Sequence, residues 1–243
     1  MSLAFEGKAA LVTGASRGIG KAIAERPAAD GAAVVINYTR NEQLAQAVVN
    51  KILGKGGKAV AIHADISKSA HVRRLFNEAE KAMARLDIVV ANAGVHILKP
   101  FVENTEADYD YIFNTNTKGV FFTLQEAARH MRDGGRIVVV STGGTKMHFP
   151  NNSLYLGSKG AIEQFARSLA VELGPRNVTV NILSPGFTDT DMLPEQYRAF
   201  GASLSPFNRV GTPEDVADVA AFLASDAARW VTGQNVQAGG DVV

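Results

Sequence analysis

The chain has 243 residues, 46% of them hydrophobic, with a formal net charge of +1 and no cysteine. That length and apolar content suit one large α/β domain and exclude a disordered chain. The near-neutral, interspersed charge gives no electrostatic case for nucleic acid or an anionic membrane surface. The missing cysteine excludes disulfides, thiolate metal sites and a thiol nucleophile.

Taken in order, Met1 to Ala10 carry no signal-peptide pattern, and their apolar run starts a strand. No stretch of about 18 apolar residues is present, so no membrane span and a cytoplasmic location are expected. Ala9–Thr13 reads as the first strand and ends in Thr13-Gly14-Ala15-Ser16-Arg17-Gly18-Ile19-Gly20. A helical pattern follows to about Asp30, with Pro27 predicting a kink or an early end. Ala33–Asn37 is a second strand, completing a βαβ unit. Next come a strand at Ala59–His63, a helix at Ser69–Ala84 and a strand at Asp87–Ala91. The region from Glu106 to about Arg132 is helical, and Arg136–Ser141 is a strand. A helix with Ser153 as N-cap carries Ala161, Ile162, Phe165, Ala166, Leu169, Ala170 and Leu173 at helical spacing until Gly174-Pro175. Val178–Leu183 is a strand, Pro213–Ala224 a helix and Asn235–Gln237 a last short strand. Most strands are continuous β-branched runs, as burial on both faces of a parallel sheet requires. The expected fold is a doubly wound, Rossmann-type α/β three-layer sandwich with a seven-stranded parallel sheet, residues 1–243 forming a single domain. The irregular stretch at about 187–211 is long enough to be a functional lid.

Two stretches carry chemistry. Gly14, Gly18 and Gly20 let the backbone turn tightly and approach a ligand at the N-terminus of the next helix. Their G-x3-G-x-G spacing differs from the G-x-G-x-x-G fingerprint, and a purely structural turn is the bland alternative. Tyr155 and Lys159, four apart, share one helix face. A free phenol has a pKa near 10, and a neighbouring ammonium lowers it, so the pair suits a tuned proton donor and acceptor. Two ordinary helix residues are the alternative there. His96 and His148 stand without ligand spacing, and no metal is assigned.

The glycine turn, Asn92-Ala93-Gly94, Asn116, Tyr155-x3-Lys159 and Pro185-Gly186 stand in the order and spacing of the short-chain dehydrogenase/reductases, which the whole chain resembles. It is most similar to the 3-oxoacyl-carrier-protein reductases, while Gly157 to Arg167 also resembles the polyhydroxynaphthalene reductases. The resemblance implies Tyr155 as general acid, Lys159 as its partner and a holder of the nicotinamide ribose, and Asn116 as a helix-bend contact leading to Lys159. It implies a serine about 13 residues before the tyrosine, where this chain has Thr142, with Ser141 one further. Neighbours on a strand point to opposite sides, so only one can face a substrate; Thr142 is favoured and Ser141 stays open. Gly14, Ser16, Arg17, Gly18, Ile19 and Gly20 would hold the cofactor's phosphates. Asp65-Ile66 would meet adenine, unless Asp65 only closes a turn before Ser67. Asn92, Ala93, Gly94, Pro185, Gly186, Thr188 and Thr190 would line the cofactor cleft. The second strand ends in Ile36-Asn37-Tyr38-Thr39-Arg40, without an acid for a ribose hydroxyl. Arg17 and Arg40, beside Tyr38, suit a 2′-phosphate, which favours NADP(H) over NAD(H); a solvated surface arginine is the alternative for each.

The expected function is NADP(H)-dependent hydride transfer to a ketone or from a secondary alcohol. The substrate would be a small-molecule carbonyl or an acyl thioester. For an acidic carrier protein, Arg129, Arg132, Arg167 and Arg176 are candidate contacts, interrupted by Asp133. A sensor that binds NADP(H) without catalysis is the alternative. The tail reads Gly239-Gly240-Asp241 where the family has Asp-Gly-Gly; a homotetramer, or a dimer, is implied.

Overall fold

The apolar runs pair edge to edge into one parallel sheet. In the computed structural model, which describes residues 4–240, the strands are β1 (Ala9–Val12), β2 (Ala33–Tyr38), β3 (Lys58–His63), β4 (Ile88–Ala91), β5 (Arg136–Val140), β6 (Thr179–Pro185) and β7 (Asn235–Ala238). Among the described residues they lie in the order β3-β2-β1-β4-β5-β6-β7, all parallel. The sheet is doubly wound, with the strand order reversing between β1 and β4. Ligands of such folds bind outside the carboxyl ends of the strands at that point.

Two layers of helices bury the sheet. The helices α1 (Gly18–Ala29), α2 (Glu42–Gly54) and α8 (Pro213–Ala224) pack on one face, with Ile23, Val48 and Leu223 in the core. On the other face lie α3 (Ser69–Met83), α5 (Val120–His130) and α6 (Ser153–Glu172), with Phe76, Leu124 and Ile162 buried. The inner strands β1, β2, β4, β5 and β6 are buried on both faces, the edge strands β3 and β7 only partly, and burial of each large side chain contributes roughly 1.5–3 kcal/mol. Among the described residues no helix is long and apolar enough to cross a membrane.

Local departures from the expected elements have physical causes. The helix α2 was not expected, yet Asn41 caps it and Ala45, Val48, Val49 and Ile52 form its buried stripe. The region from Glu106 to Arg132 is not one helix. It divides into α4 (Glu106–Phe113), a π-helical segment (Asn114–Gly119) and α5. Gly119 lets this segment approach Ile66, because a Cβ there would stand 2.8 Å from the Ile66 carbonyl oxygen. Ser153 is not the N-cap of α6; Asn152 precedes the helix and Ser153 is its first residue. Pro27 does not end α1, which runs on to Ala29, because a proline so close to the C-terminus removes a single helical donor. The 187–211 stretch is not irregular throughout, since it contains a 3₁₀ turn at Glu195–Tyr197 and α7 (Arg198–Leu204). Of the tail motif, Asp241 lies outside the described residues.

The switch point is stitched by side chains. The Thr13 hydroxyl accepts from the backbone N–H groups of Asn92 (3.0 Å) and Ala93 (3.1 Å). The Asn92 amide donates back to the carbonyls of Thr13 (2.9 Å) and Gly14 (3.2 Å). At the end of β2, the buried Asn37 accepts from the Gly14 N–H at 3.2 Å and donates to the Ala64 carbonyl at 3.0 Å. The loops after β1, β2, β3 and β4 are thereby fixed to one another. Thr13→Val keeps the shape but leaves the Ala93 N–H unpaired and the Asn92 N–H with the Val90 carbonyl alone. We expect it to lower the unfolding free energy by about 2 kcal/mol, measured by urea denaturation.

Candidate active site

The glycine turn forms an anion cradle. Gly14 (φ 63°) and Gly18 (φ 54°) adopt the left-handed conformation. A side chain at Gly20 would collide with the Asn92 amide and the Gly14 carbonyl. Arg17 precedes α1 without giving it a side-chain cap, and the first turn holds no acidic residue. The first N–H groups and the positive end of the helix dipole therefore face the open turn. The donors and the space fit a dinucleotide's pyrophosphate, with Ser16 and Ile19 partly exposed beside it. Arg17 and Arg40 are exposed, while Tyr38 is buried. Arg17 stands 3.4 Å from Asp191 in an exposed pair of little strength. Asp65 accepts from the Ser67 N–H (3.0 Å) and hydroxyl (2.7 Å), so it does close the turn, and Ile66 is buried beneath.

The proton-transfer pair stands on the first two turns of α6. Tyr155 keeps part of its surface open to the cleft. Burial among its neighbours pushes its phenol up to about 12, partly opposed by a hydrogen bond with the Thr142 hydroxyl. Lys159 is 3% exposed, and its Nζ donates to the Val140 carbonyl at 2.8 Å. Burial pushes the ammonium down to about 8, and the Glu163 carboxylate opposes the fall. The expected lowering of the phenol by Lys159 is therefore corrected. The Nζ lies 5.9 Å from the Tyr155 ring centroid, and loss of solvation dominates. At neutral pH the chain presents a protonated phenol beside an ammonium.

The strand β5 ends just before Ser141, and the alternation of side chains separates the two hydroxyls. Ser141 is buried and donates to Glu163 Oε1 at 2.7 Å. Thr142 faces Tyr155 and accepts from the Gly144 N–H at 3.2 Å, which leaves its own proton to donate. Ser141 is thus not on the cleft side, and Thr142 is. Asn116, in the π-helical segment, is fully buried. Its Oδ1 accepts from the Val95 N–H and its Nδ2 donates to the Val95 carbonyl, both at 2.8 Å. A Cβ at Gly94 would stand 3.4 Å from both Asn116 Oδ1 and Lys159 Nζ, so this glycine keeps the space between them open.

The loop after β6 closes over the cradle. Gly186 approaches Gly239 so closely that a Cβ would stand 2.8 Å from its Cα. Thr188 is buried and donates to the Gly186 carbonyl at 3.1 Å. The Thr190 hydroxyl accepts from the Met192 N–H at 3.3 Å, and its methyl lies 3.4 Å from where a Gly18 side chain would begin. Asn92, Ala93, Gly94, Pro185, Gly186, Thr188 and Thr190 thus converge with the glycine turn at the strands' carboxyl ends.

Phe149 and Glu163 near this cleft were given no role from the sequence, and His96 was considered there only as a metal ligand. The His96 ring stands edge-on to Tyr155 at 4.7 Å, with Nε2 2.7 Å from Asn152 Oδ1. Phe149 meets Phe187 (5.8 Å) and Phe200 (6.2 Å), fastening the lid to the entrance of α6. Glu163 lies two turns beyond Tyr155 on the same helix face. Its spacing from Lys159 was the available signal, whereas the other two contacts depend on loop conformation. Of the four arginines considered for a carrier protein, Arg129 pairs with Glu126, Arg167 with Glu163 and Arg176 with Asp133.

The comparisons agree with this geometry. The family model described as enoyl-(acyl carrier protein) reductase matches residues 14–240. A hydroxynaphthalene reductase-like protein of Metarhizium brunneum is 47% identical over 94% of this chain and 92% of its own length. A short-chain dehydrogenase of Burkholderia cenocepacia, solved in complex with NADP, is 40% identical with a TM-score of 0.95, covering 98% of this chain and 99% of that one. An angucycline C-6 ketoreductase with bound NADP is 40% identical with a TM-score of 0.94, covering 100% and 98%. The chain belongs to the short-chain dehydrogenase/reductase family of oxidoreductases.

Proposed function

We propose that this short-chain dehydrogenase/reductase is an NADP(H)-dependent ketone reductase in which Tyr155 is the general acid. The observation that carries the reading is the protonated Tyr155 phenol, with the Thr142 hydroxyl on one side and the buried Lys159 ammonium one turn along, beside the glycine cradle. The glycine cradle and the loop after β6 would hold the dinucleotide, which would supply the hydride for the carbonyl carbon. Thr142 donates a hydrogen bond to the carbonyl oxygen and fixes its position. Tyr155 passes its proton to that oxygen as negative charge develops there, and the Lys159 ammonium stabilises the phenolate left behind. Asn116 holds the Val95 backbone and so keeps the wall of the cleft in place. Arg17 and Arg40 would pair with the 2′-phosphate, Tyr38 would flank it, and Asp65 and Ile66 would border the adenine.

The substrate in this reading is a flat polycyclic aromatic ketone. The rings of Phe149, Phe187 and Phe200 form an apolar wall suited to it. Two of the similar proteins carry names of that substrate class. A 3-oxoacyl thioester on an acidic carrier has less support, because three of the four arginines are engaged by carboxylates of the chain itself. Exposed Tyr109, Phe121 and Trp230 leave apolar surface for assembly, and we propose a homotetramer.

Tyr155→Phe is expected to lower kcat for ketone reduction by about 100- to 10,000-fold with NADPH still bound, followed by NADPH absorbance and fluorescence. If the wild type binds NADPH and reduces no ketone in an aromatic panel, the sensor reading replaces this one. Arg17→Ala and Arg40→Ala should each raise the Kd for NADPH about tenfold and leave that for NADH nearly unchanged, as read by calorimetry. Reduction should hold a plateau at neutral pH and decline as pH rises through about 8, where Lys159 loses its proton. A pH–rate profile of kcat/KM measures that decline.

A further inference from the structure

The helix α6 presents Tyr155, Lys159, Glu163 and Arg167 at successive intervals of four, so a phenol, an ammonium, a carboxylate and a guanidinium share one face. Glu163 has no part in the proton transfer derived above, yet it is 7% exposed. A carboxylate so buried requires partners. Its Oε1 lies 2.7 Å from the Ser141 hydroxyl and 2.8 Å from the Thr145 hydroxyl. Its Oε2 lies 3.5 Å from Arg167, which is substantially exposed. Ser141 follows β5, and Thr145 lies in the 3₁₀ turn Gly143–Lys146 that follows Thr142. The carboxylate therefore ties the segment on both sides of Thr142 to the helix that carries Tyr155.

It also has an electrostatic role. Around the Lys159 ammonium stand the Val140 carbonyl on β5, the Asn116 amide on the π-helical segment, Gly94 after β4, and Tyr155 and Glu163 on α6. Of these, Glu163 is the one carboxylate.

We propose that Glu163 is a positioning residue of the reaction: it supplies the counter-charge that keeps Lys159 an ammonium and, by holding Ser141 and Thr145, turns the Thr142 hydroxyl towards Tyr155. The second half rests on the reading of Thr142 and Tyr155 as the groups at the substrate oxygen. The sign follows from the charges. Burial already pulls the Lys159 pKa down and Glu163 opposes it, so neutralising Glu163 lets it fall further. Lys159 then loses its proton at a lower pH, and the activity it supports is lost from lower pH upward.

The proton affinity of Lys159 is measured without turnover. In protein carrying 13C at lysine Cε, the Lys159 resonance is assigned by its absence in Lys159→Met. It is then titrated in wild type, Glu163→Gln and Glu163→Asp. We expect the midpoint to fall by about one pH unit or more in Glu163→Gln and to stay within about half a unit of wild type in Glu163→Asp. The basic limb of kcat/KM for ketone reduction should move by the same amount in the same direction. Ser141→Ala retains the charge but cuts the tie, so it should leave the midpoint in place and raise KM for the ketone about threefold to tenfold, the effect of one lost hydrogen bond. An unmoved midpoint in Glu163→Gln, with a rate loss equal at every pH, overturns the electrostatic half. An unchanged KM in Ser141→Ala overturns the tie. Should Glu163→Gln fail to fold, a Glu163→Asp midpoint more than about one unit below wild type overturns the electrostatic half instead. A wild type that reduces no ketone sinks the proposed function, while the Lys159 titration still decides the electrostatic half.

Discussion

A buried ammonium organises this protein. Lys159 is held away from water, with the Val140 carbonyl as its direct hydrogen-bond partner. Burying a charge costs several kcal/mol unless it is hydrogen-bonded and paired. The fold meets that requirement with a strand that ends at Val140, a π-helical segment that brings Asn116 alongside, a glycine at position 94 that keeps the space clear, and Glu163 one turn further on. Each of these features comes from a different element of the sheet or its helices. The doubly wound architecture is the scaffold that brings them to one place.

The same desolvation decides the chemistry. It lifts the Tyr155 phenol to about 12 and lowers the Lys159 ammonium to about 8. One environment thereby pushes the two pKa values apart from ordinary values that lie close together. The phenol keeps its proton at neutral pH, and the proposed mechanism uses it as the donor, with the ammonium stabilising the phenolate left behind. The reverse reaction, alcohol oxidation, would begin from the phenolate, which this environment disfavours.

Much of this was legible in the sequence. The seven strands were legible to within two residues, the inner ones as continuous apolar runs because burial on both faces leaves no other pattern. The glycine turn and the Tyr155–Lys159 spacing were legible because backbone conformation and helical period are local properties. The choice between Ser141 and Thr142 was not local. It depends on Glu163, 22 residues beyond Ser141, drawing that hydroxyl to the far side. The π-helical segment within Asn114–Gly119 was hidden because its residues suit an ordinary helix, and the departure comes from the backbone approach to Ile66 and the pairing of Asn116 with Val95. The helix α2 has a local signature in Asn41 and its apolar stripe. The contact of His96 with Tyr155 joins a loop to a helix and leaves no periodic trace.

The proposed function comes down to one chemical event, the transfer of hydride to a ketone carbon at this cleft. The most direct measurement is to incubate the wild-type protein with NADPH deuterated at the transferring C4 position and a polycyclic aromatic ketone, and to locate the label by mass spectrometry and NMR. One deuterium on the carbinol carbon of the product is predicted, with the new hydroxyl proton drawn from solvent through Tyr155. NADPH bound but unconsumed across the ketone panel, or a product without deuterium at that carbon, would contradict the account.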